Sequence, residues 1–160
     1  MQTEIIGTTG SQYWTFKVVV TEDENGILTL EAFLGRTENA GSSYFQGTYT
    51  LDYNCGGKEF SEELYRNSGT IPAGGWYSVG YHTFNETDSD NVEIEVSLST
   101  TSFSPYNASA SGNVSLVNLG IFRIGNNNEW KKAKVYFGIN NEWKKCKPYF
   151  GISGVWKKGK

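Results

Sequence analysis

The sequence predicts an all-β protein that consists of an immunoglobulin-like antiparallel β-sandwich followed by a repetitive β-hairpin tail. Three observations lead to this prediction. Apolar and polar residues alternate in short runs over residues 1–118, a 13-residue motif recurs over residues 119–160, and no window has the hydrophobic period of an amphipathic helix. The 160 residues are enough for one ordinary domain with an appendage.

The sandwich prediction depends on about seven alternating runs. Residues 14–21 form the first run, and Asn25-Gly26, the strongest short hairpin signal, connects it to residues 28–34. Short strands at regular spacing are typical of an immunoglobulin-like sandwich. The remaining runs cover residues 45–53, 58–66, 77–81, 92–98 and 108–116.

Three of these runs carry specific expectations. Residues 58–66 have some helical propensity, but a strand fits the surrounding pattern better. In residues 77–81 the larger side chains alternate, so Tyr77, Val79 and Tyr81 are predicted to share one face. The last run places small residues on its inner face, as expected where a second sheet approaches closely.

The tail is an internal repeat. Trp130, Trp143 and Trp156 are 13 residues apart, and each is followed by two lysines, a small residue and a third lysine. Aromatic residues, Gly-Ile and a polar pair precede each later tryptophan, which predicts a strand, a two-residue turn and a strand. We expect one apolar and one charged side. Because two short strands are marginal alone, the ribbon needs neighbouring units, the sandwich or other copies.

The net charge of −3 conceals two regions of opposite sign. Residues 121–160 carry ten basic and two acidic residues, a net charge of +8, whereas the remainder carries four basic and fifteen acidic residues, a net charge of −11. Such regions can attract each other within a chain or between copies. Lysines among aromatic residues could bind nucleic acid. The acidic body and the fixed offset of the lysines from each tryptophan argue against that partner.

Neither a targeting segment nor a cysteine motif is recognisable. The start lacks the charged and apolar regions of a signal peptide, and no run of apolar residues is long enough to span a membrane. We therefore expect no signal-directed export and no membrane as partner. Cys55 and Cys146 have no CxxC pattern and no nearby histidine, which disfavours metal and redox roles, and a disulfide between them has no support.

Candidate catalytic residues are few. Glu93 and Glu95 lie two apart on a predicted strand, on the side opposite its apolar residues, which indicates solvated sheet surface rather than the paired acids of a glycosidase. His82 is the only histidine, no Gly-x-Ser-x-Gly turn is present, and a partly buried strand residue is the better interpretation. We expect no enzymatic activity, no catalytic zinc and no cofactor.

An acidic hairpin tip is predicted at residues 85–91. Asp88 and Asp90 supply the hard oxygen ligands that calcium accepts, and they are the one weak candidate for a metal site. The segment lacks the central glycine and the distal glutamate of an EF-hand loop. An acidic tip without metal explains the same residues, so we predict no metal.

Three segments carry a resemblance to a known family. They are the opening IIGTTGSQYWTFKVVVTED, the stretch WYSVGYHTFNETDSDNVEIEVSLSTTSFSPYNASASGNVSL and the terminal YFGISGVWKK. Together they resemble minor tail or baseplate proteins of bacteriophages that infect Gram-positive bacteria. In those proteins a Trp-led strand opens a β-sandwich, and short repeats ending in Gly-Val-Trp-Lys are common at the C terminus. The tip differs, because the family usually has a tighter Asp-Gly turn.

The resemblance implies a virion structural module without enzymatic activity, located in the tail tip, baseplate or fibre after synthesis in the host cytoplasm. Its expected partners are other virion tail proteins, further copies of the same chain in a homo-oligomer, and a host-surface glycan. The residues expected to make these contacts are the aromatic residues and flanking lysines of the tail: Trp130, Trp143, Trp156, Tyr136, Tyr149, Lys131, Lys132, Lys144, Lys145, Lys157 and Lys158.

A stand-alone carbohydrate-binding or cell-wall-binding module is the alternative. Aromatic rings beside cations suit sugar-binding surfaces, because the rings stack on apolar sugar faces while polar neighbours fix orientation. The repeats are also similar to choline-binding repeats, although those units are longer and richer in tyrosine. The competing interpretation is that the tryptophans form the apolar seam along which successive hairpins stack.

Overall fold

The computed structural model describes residues 2–23, 26–67, 69–85 and 91–116, together with the backbone of six short strands between residues 122 and 158. All regular elements in these residues are antiparallel β-strands, so the prediction of an all-β protein is confirmed. The chain divides into two compact units, Met1–Leu116 and Val117–Lys160.

The first unit contains two four-stranded antiparallel sheets. Its strands are β1 (Gln2–Ile6), β2 (Trp14–Glu22), β3 (Leu28–Arg36), β4 (Ser43–Tyr44), β5 (Gly47–Cys55), β6 (Lys58–Arg66), β7 (Thr70–Ile71), β8 (Trp76–Phe84), β9 (Asn91–Ser99) and β10 (Asn107–Ser115). Sheet I has the order β1-β2-β3-β8, and sheet II has the order β10-β9-β5-β6. The short strands β4 and β7 pair with each other.

The two sheets pack face to face around one hydrophobic core. Alternate residues of each strand point inward, as the sequence pattern predicts, and the inward residues of both sheets belong to a single cluster. Fully buried members include Phe16, Leu30 and Leu34 from sheet I and Leu51 and Ile94 from sheet II. The strand preferred for residues 58–66 is confirmed as β6.

Without β1, the strand order matches that of immunoglobulin-type sandwiches. In chain order, β2, β3 and β8 take the places of strands A, B and E, while β10, β9, β5 and β6 take those of G, F, C and C′. The immunoglobulin-like classification is based on this order and stays a prediction. The edge strand β1 and the β4–β7 pair are additions that the alternating runs do not reveal.

Strand β1 closes one side of the sandwich. Its Ile5 points into the core beside Val18, and the chain then crosses to sheet II through a bridge between Thr8 and Ser109. The two backbone hydrogen bonds of this bridge measure 2.8 and 2.9 Å. Small inner residues were predicted for β10. Ala108 and Ala110 are buried there, which confirms that prediction.

Strand β8 contains a bulge that corrects one expectation. The register with β3 shifts between Ala32 and Phe33, so Val79 and Gly80 both face inward. Tyr81 therefore points outward, and the prediction that it shares a face with Val79 is wrong. The hydroxyl of Tyr49 donates a hydrogen bond of 2.7 Å to the carbonyl of Val79, which links sheet II to the bulge.

The second unit contains three two-stranded ribbons. They are β11 (Phe122–Asn126) with β12 (Glu129–Ala133), β13 (Tyr136–Ile139) with β14 (Glu142–Lys145), and β15 (Tyr149–Ile152) with β16 (Val155–Lys158). In all three, the tryptophan pairs with a glycine. The register of the second ribbon puts positions 143 and 145 on one face and 144 on the other. The side chains of these ribbons lie outside the described part of the structure, so the predicted apolar and charged sides stay a prediction.

Candidate binding site

The contact residues predicted in the tail lie on the ribbons just described. Trp130, Trp143, Trp156 and the six flanking lysines lie on β12, β14 and β16, and Tyr136 and Tyr149 begin β13 and β15. Their side chains lie outside the described part of the structure, so their contacts stay predictions. The calcium candidates Asp88 and Asp90 also lie outside the described residues. Elsewhere, the described residues contain no group of three or more His, Cys, Asp or Glu that could hold a metal ion.

The acid pair and the histidine have the surroundings that the sequence predicts. Glu93 and Glu95 are exposed on the outward face of β9, opposite its buried apolar residues. His82 is partly buried on β8, and its ring stacks on Phe60 with 3.6 Å between ring centroids and 13° between planes. Both structural interpretations are confirmed.

Polar groups buried between the sheets are held in their neutral form. Burial raises the pKa of Tyr49, and burial together with Glu62 raises that of Tyr53. Burial also raises the pKa of the Cys55 thiol to about 11, against a smaller opposing effect of Lys58. All three residues belong to the hydrophobic core of the sandwich.

Each cation in residues 1–116 already has a partner inside the unit. Lys17 pairs with Glu4 at 2.9 Å and lies 4.7 Å from the centroid of the Trp76 ring. Arg36 and Arg66 lie over the rings of Trp14 and Tyr77, and Lys58 donates to the carbonyl of Asn85 at 3.3 Å. The described surface of the sandwich therefore offers no basic patch for an anionic ligand.

The outward face of sheet I carries an aromatic patch. Trp76 is paired with Gly35, where an added Cβ would lie 2.7 Å from the indole, so glycine lets the ring lie close to the sheet. Lys17 crosses toward this indole, and Tyr81 is exposed further along β8. Phe33 completes the patch, with its ring 5.6 Å from the Lys17 ammonium group.

The outward face of sheet II is entirely different. By register it presents serine, threonine, asparagine and acidic residues, with Tyr65 on β6 as its one aromatic residue. Five carboxylates and no lysine or arginine belong to this face among the described residues: Asp52, Glu59, Glu63, Glu93 and Glu95. A groove of about 430 Å³ runs over the acidic part, between Asp52, Glu59 and Glu95.

Two further grooves of sheet II meet at Tyr106. One, of about 490 Å³, runs between the loop at residues 8–11 and the start of β10, and the other, of about 610 Å³, runs over β5 and the loop after β9. Both are lined by Ser99, Tyr106 and Asn107. The side chain of Tyr106 is 60% exposed, so it borders both grooves without being part of the core.

The loop that carries Tyr106 is anchored at several points. The amide of Thr100 donates to the carbonyl of Tyr106 at 2.9 Å, and the Thr100 hydroxyl donates to the carbonyl of Thr48 at 2.5 Å. Phe103 is buried, with its ring edge-on to Phe45 at a centroid distance of 4.2 Å. The loop therefore holds Tyr106 at a fixed place beside the sheet.

Sequence reasoning missed both Tyr106 and Trp76. The segment at residues 99–107 does contain a signal, since two aromatic residues interrupt a run of serine and threonine between two strands. Only the fold shows that Phe103 is the buried anchor and Tyr106 the exposed ring. Trp76 gave no usable signal, because its place over Gly35 depends on the pairing of β3 with β8.

Comparisons with known proteins add no identification. No protein-family model, curated protein or solved structure matches the chain. Among the described residues, no helix has the length and apolar character required to cross a membrane. The geometry of the grooves and ribbons therefore carries the functional argument.

Proposed function

We propose that this protein is a structural and adhesive component of a bacteriophage virion, located in the tail tip, baseplate or fibre. It assembles through its C-terminal ribbons with other tail proteins and with copies of itself, and it catalyses no reaction. The observation that carries the proposal is that each of the three ribbons pairs only within itself among the described strands.

Such ribbons need a partner surface. The first has five residue pairs, and the other two have four each. A two-stranded hairpin of this length is marginally stable at best in water, and short repeated units become stable by stacking on neighbours. The recurrence of the Gly–Trp pair in all three ribbons favours one common way of packing.

Charge indicates the chemistry of that partner. Ten basic residues within residues 121–160 favour an acidic surface, and the sandwich of a second copy offers five carboxylates on the outward face of sheet II. The same face disfavours nucleic acid as a partner of the sandwich, since every phosphate would approach carboxylates without a compensating cation.

Light scattering after size exclusion tests the assembly. The full chain is expected to have the mass of a trimer or a larger homo-oligomer, and replacing Trp130, Trp143 and Trp156 together by alanine should reduce it to one chain. Trp76→Ala, which removes an indole from the sandwich, is the matched control and should leave the mass unchanged. A wild-type monomer at every concentration would contradict assembly through the ribbons.

The virion assignment has its own test. Mass spectrometry of virions purified from the host that carries the gene should detect this chain at a fixed ratio to the other tail proteins. Its absence from purified particles would overturn the assignment, whatever its oligomeric state in solution.

A carbohydrate-binding or cell-wall-binding module is the second candidate. The observation that favours it is the pair of grooves that meet at the exposed Tyr106. Binding of this kind also fits the adhesive part of the first proposal, in which a host-surface glycan is the partner.

A further inference from the structure

We propose that the two grooves beside Tyr106 form a binding site for a neutral glycan chain, with the tyrosine ring as its stacking platform. This site is separate from the tail residues predicted from the sequence. It deepens the adhesive part of the proposed function and does not depend on assembly by the ribbons.

The chemistry of the walls indicates the ligand class. Hydroxyl and amide groups, such as those of Thr50, Ser99 and Asn107, line most of both grooves, and Glu63 is the only charged residue in either. Such groups both donate and accept hydrogen bonds, as sugar hydroxyls do. Because no cation lines the grooves, a phosphate or an acidic sugar would remain uncompensated.

Tyr106 supplies the apolar element that a sugar also needs. The C–H face of a pyranose ring stacks on an aromatic ring, while the phenol hydroxyl stays available to solvent or ligand. The exposed ring lies at the junction of the two grooves rather than inside one of them. A bound chain would therefore place a sugar on the ring and extend in both directions.

The dimensions of the site agree with a chain rather than a single sugar. Each groove, at about 490 and 610 Å³, has the size of a small-ligand site. Since both share Tyr106, Ser99 and Asn107 as walls, a ligand that spans them occupies more than one subsite. We expect a hexasaccharide to bind at least about tenfold more tightly than its monosaccharide, a difference of about 1.4 kcal/mol.

The platform is also pre-organised. The hydrogen bond from the Thr100 amide to the Tyr106 carbonyl and the buried Phe103 hold the loop before any ligand arrives. Little conformational entropy is then lost on binding, which improves the affinity of an otherwise shallow site.

Nuclear magnetic resonance titration of the full ¹⁵N-labelled chain tests the proposal. The probes are soluble hexamers of glucose, mannose, galactose, rhamnose and N-acetylglucosamine, each added to about 10 mM, well above the millimolar dissociation constants of weak sites. At least one probe should shift the amide signals of Thr100, Tyr106 and Asn107 in a saturable way. The absence of saturable shifts with all five probes would overturn the proposal.

Three variants assign the binding to this site. Tyr106→Ala should weaken it at least about fivefold, because stacking of this kind contributes about 1 kcal/mol or more. Tyr106→Phe keeps the ring and should retain most of the affinity. Tyr44→Ala removes another exposed tyrosine and should change nothing. Binding that survives Tyr106→Ala, or that is lost in Tyr44→Ala, would contradict the assignment.

A fourth variant distinguishes this proposal from binding by the tail. Trp143→Ala is expected to leave the glycan affinity unchanged. A loss of glycan affinity in this variant would indicate that the glycan binds to the ribbons instead. Light scattering on the same samples reports assembly independently. If the wild-type chain binds a glycan but is monomeric, the result would support the site at Tyr106 and contradict assembly through the ribbons.

Discussion

At the scale of single residues, burial controls the chemistry of the few reactive groups. Cys55 is completely buried at the end of β5, and its thiol has a pKa raised to about 11. Tyr49 and Tyr53 lie on the same inward face of β5, and burial raises the pKa of both. The folded protein therefore keeps all three groups neutral up to a higher pH than the unfolded chain does.

This burial predicts a dependence of stability on alkaline pH. The pKa of Cys55 is raised from 9.0 to about 11 in the folded protein. The contribution of Cys55 to stability is therefore fully present below pH 9 and is lost as the pH rises toward 11. The free energy of unfolding should fall over this interval by about 1.4 kcal/mol per pH unit for this group.

Urea unfolding of wild type and of Cys55→Ala across this interval measures the effect. The variant should start from a lower stability at neutral pH and lose less above pH 9. Cys146→Ala keeps the buried thiol and should follow the wild-type slope. Equal slopes for wild type and Cys55→Ala would show that the thiol does not contribute.

Gly80 gives a second prediction at this scale. An added Cβ would lie 2.5 Å from Leu51 Cδ1 and 3.1 Å from the Tyr53 hydroxyl, inside the core. Gly80→Ala should therefore reduce the free energy of unfolding by about 2 kcal/mol, as overpacking typically does. Gly41 has open space around it, so Gly41→Ala is the control and should change stability by less than about 0.5 kcal/mol. Equal effects of the two substitutions would contradict close packing at the bulge.

At the scale of elements, the edge strand β1 is expected to be an integral part of the sandwich. Ile5 and Ile6 are chemically identical neighbours on opposite faces, with exposures of 9% and 64%. Ile5→Ala should reduce the free energy of unfolding by about 2 kcal/mol or more, and Ile6→Ala by less than about 0.5 kcal/mol. Chemical denaturation of both variants provides the comparison. Similar losses for both would indicate that β1 does not pack as described.

The elements also show which features a single sequence can predict. The long runs at β2, β3, β9 and β10 alternate because one face of each strand is buried, and that period is readable without any structure. The Asn25-Gly26 signal is equally local, and β2 does pair with β3. Local chemistry was sufficient for these elements.

Features that depend on partners could not be predicted in the same way. The bulge at Val79 and Gly80 arises where β8 meets β3, and β1 becomes a strand because Ile5 finds a place beside Val18. Tyr106 is a candidate platform because distant segments, at residues 8–11 and along β5, form grooves around it. None of these relations leaves a periodic trace in the sequence.

At the scale of the whole molecule, charge separates the two units. The four cations of the sandwich are engaged within it, and the outward face of sheet II keeps five carboxylates. The C-terminal forty residues carry a net charge of +8. Attraction between the sandwich of one copy and the tail of another would supply an assembly force that salt can weaken.

The corresponding prediction concerns ionic strength. The screening length falls from about 10 Å at 0.1 M salt to about 3 Å at 1 M. The mass of the full chain, measured by light scattering, should therefore decrease between these two conditions. Changing Lys144, Lys145, Lys157 and Lys158 to glutamate shifts the tail charge by eight units, from +8 to zero, and should produce the smaller mass already at low salt.

The matched control replaces the same four lysines by arginine, which keeps the charge and should preserve the dependence on salt. If apolar contacts of the tryptophans dominated instead, high salt would leave the assembly unchanged or strengthen it, because screening does not weaken the burial of apolar surface. A mass that does not vary with salt in wild type, or an equal loss of assembly in the glutamate and arginine variants, would contradict charge attraction. A mass that decreases with salt in wild type and in the arginine variant, but not in the glutamate variant, would assign the assembly to surfaces of opposite charge on different copies.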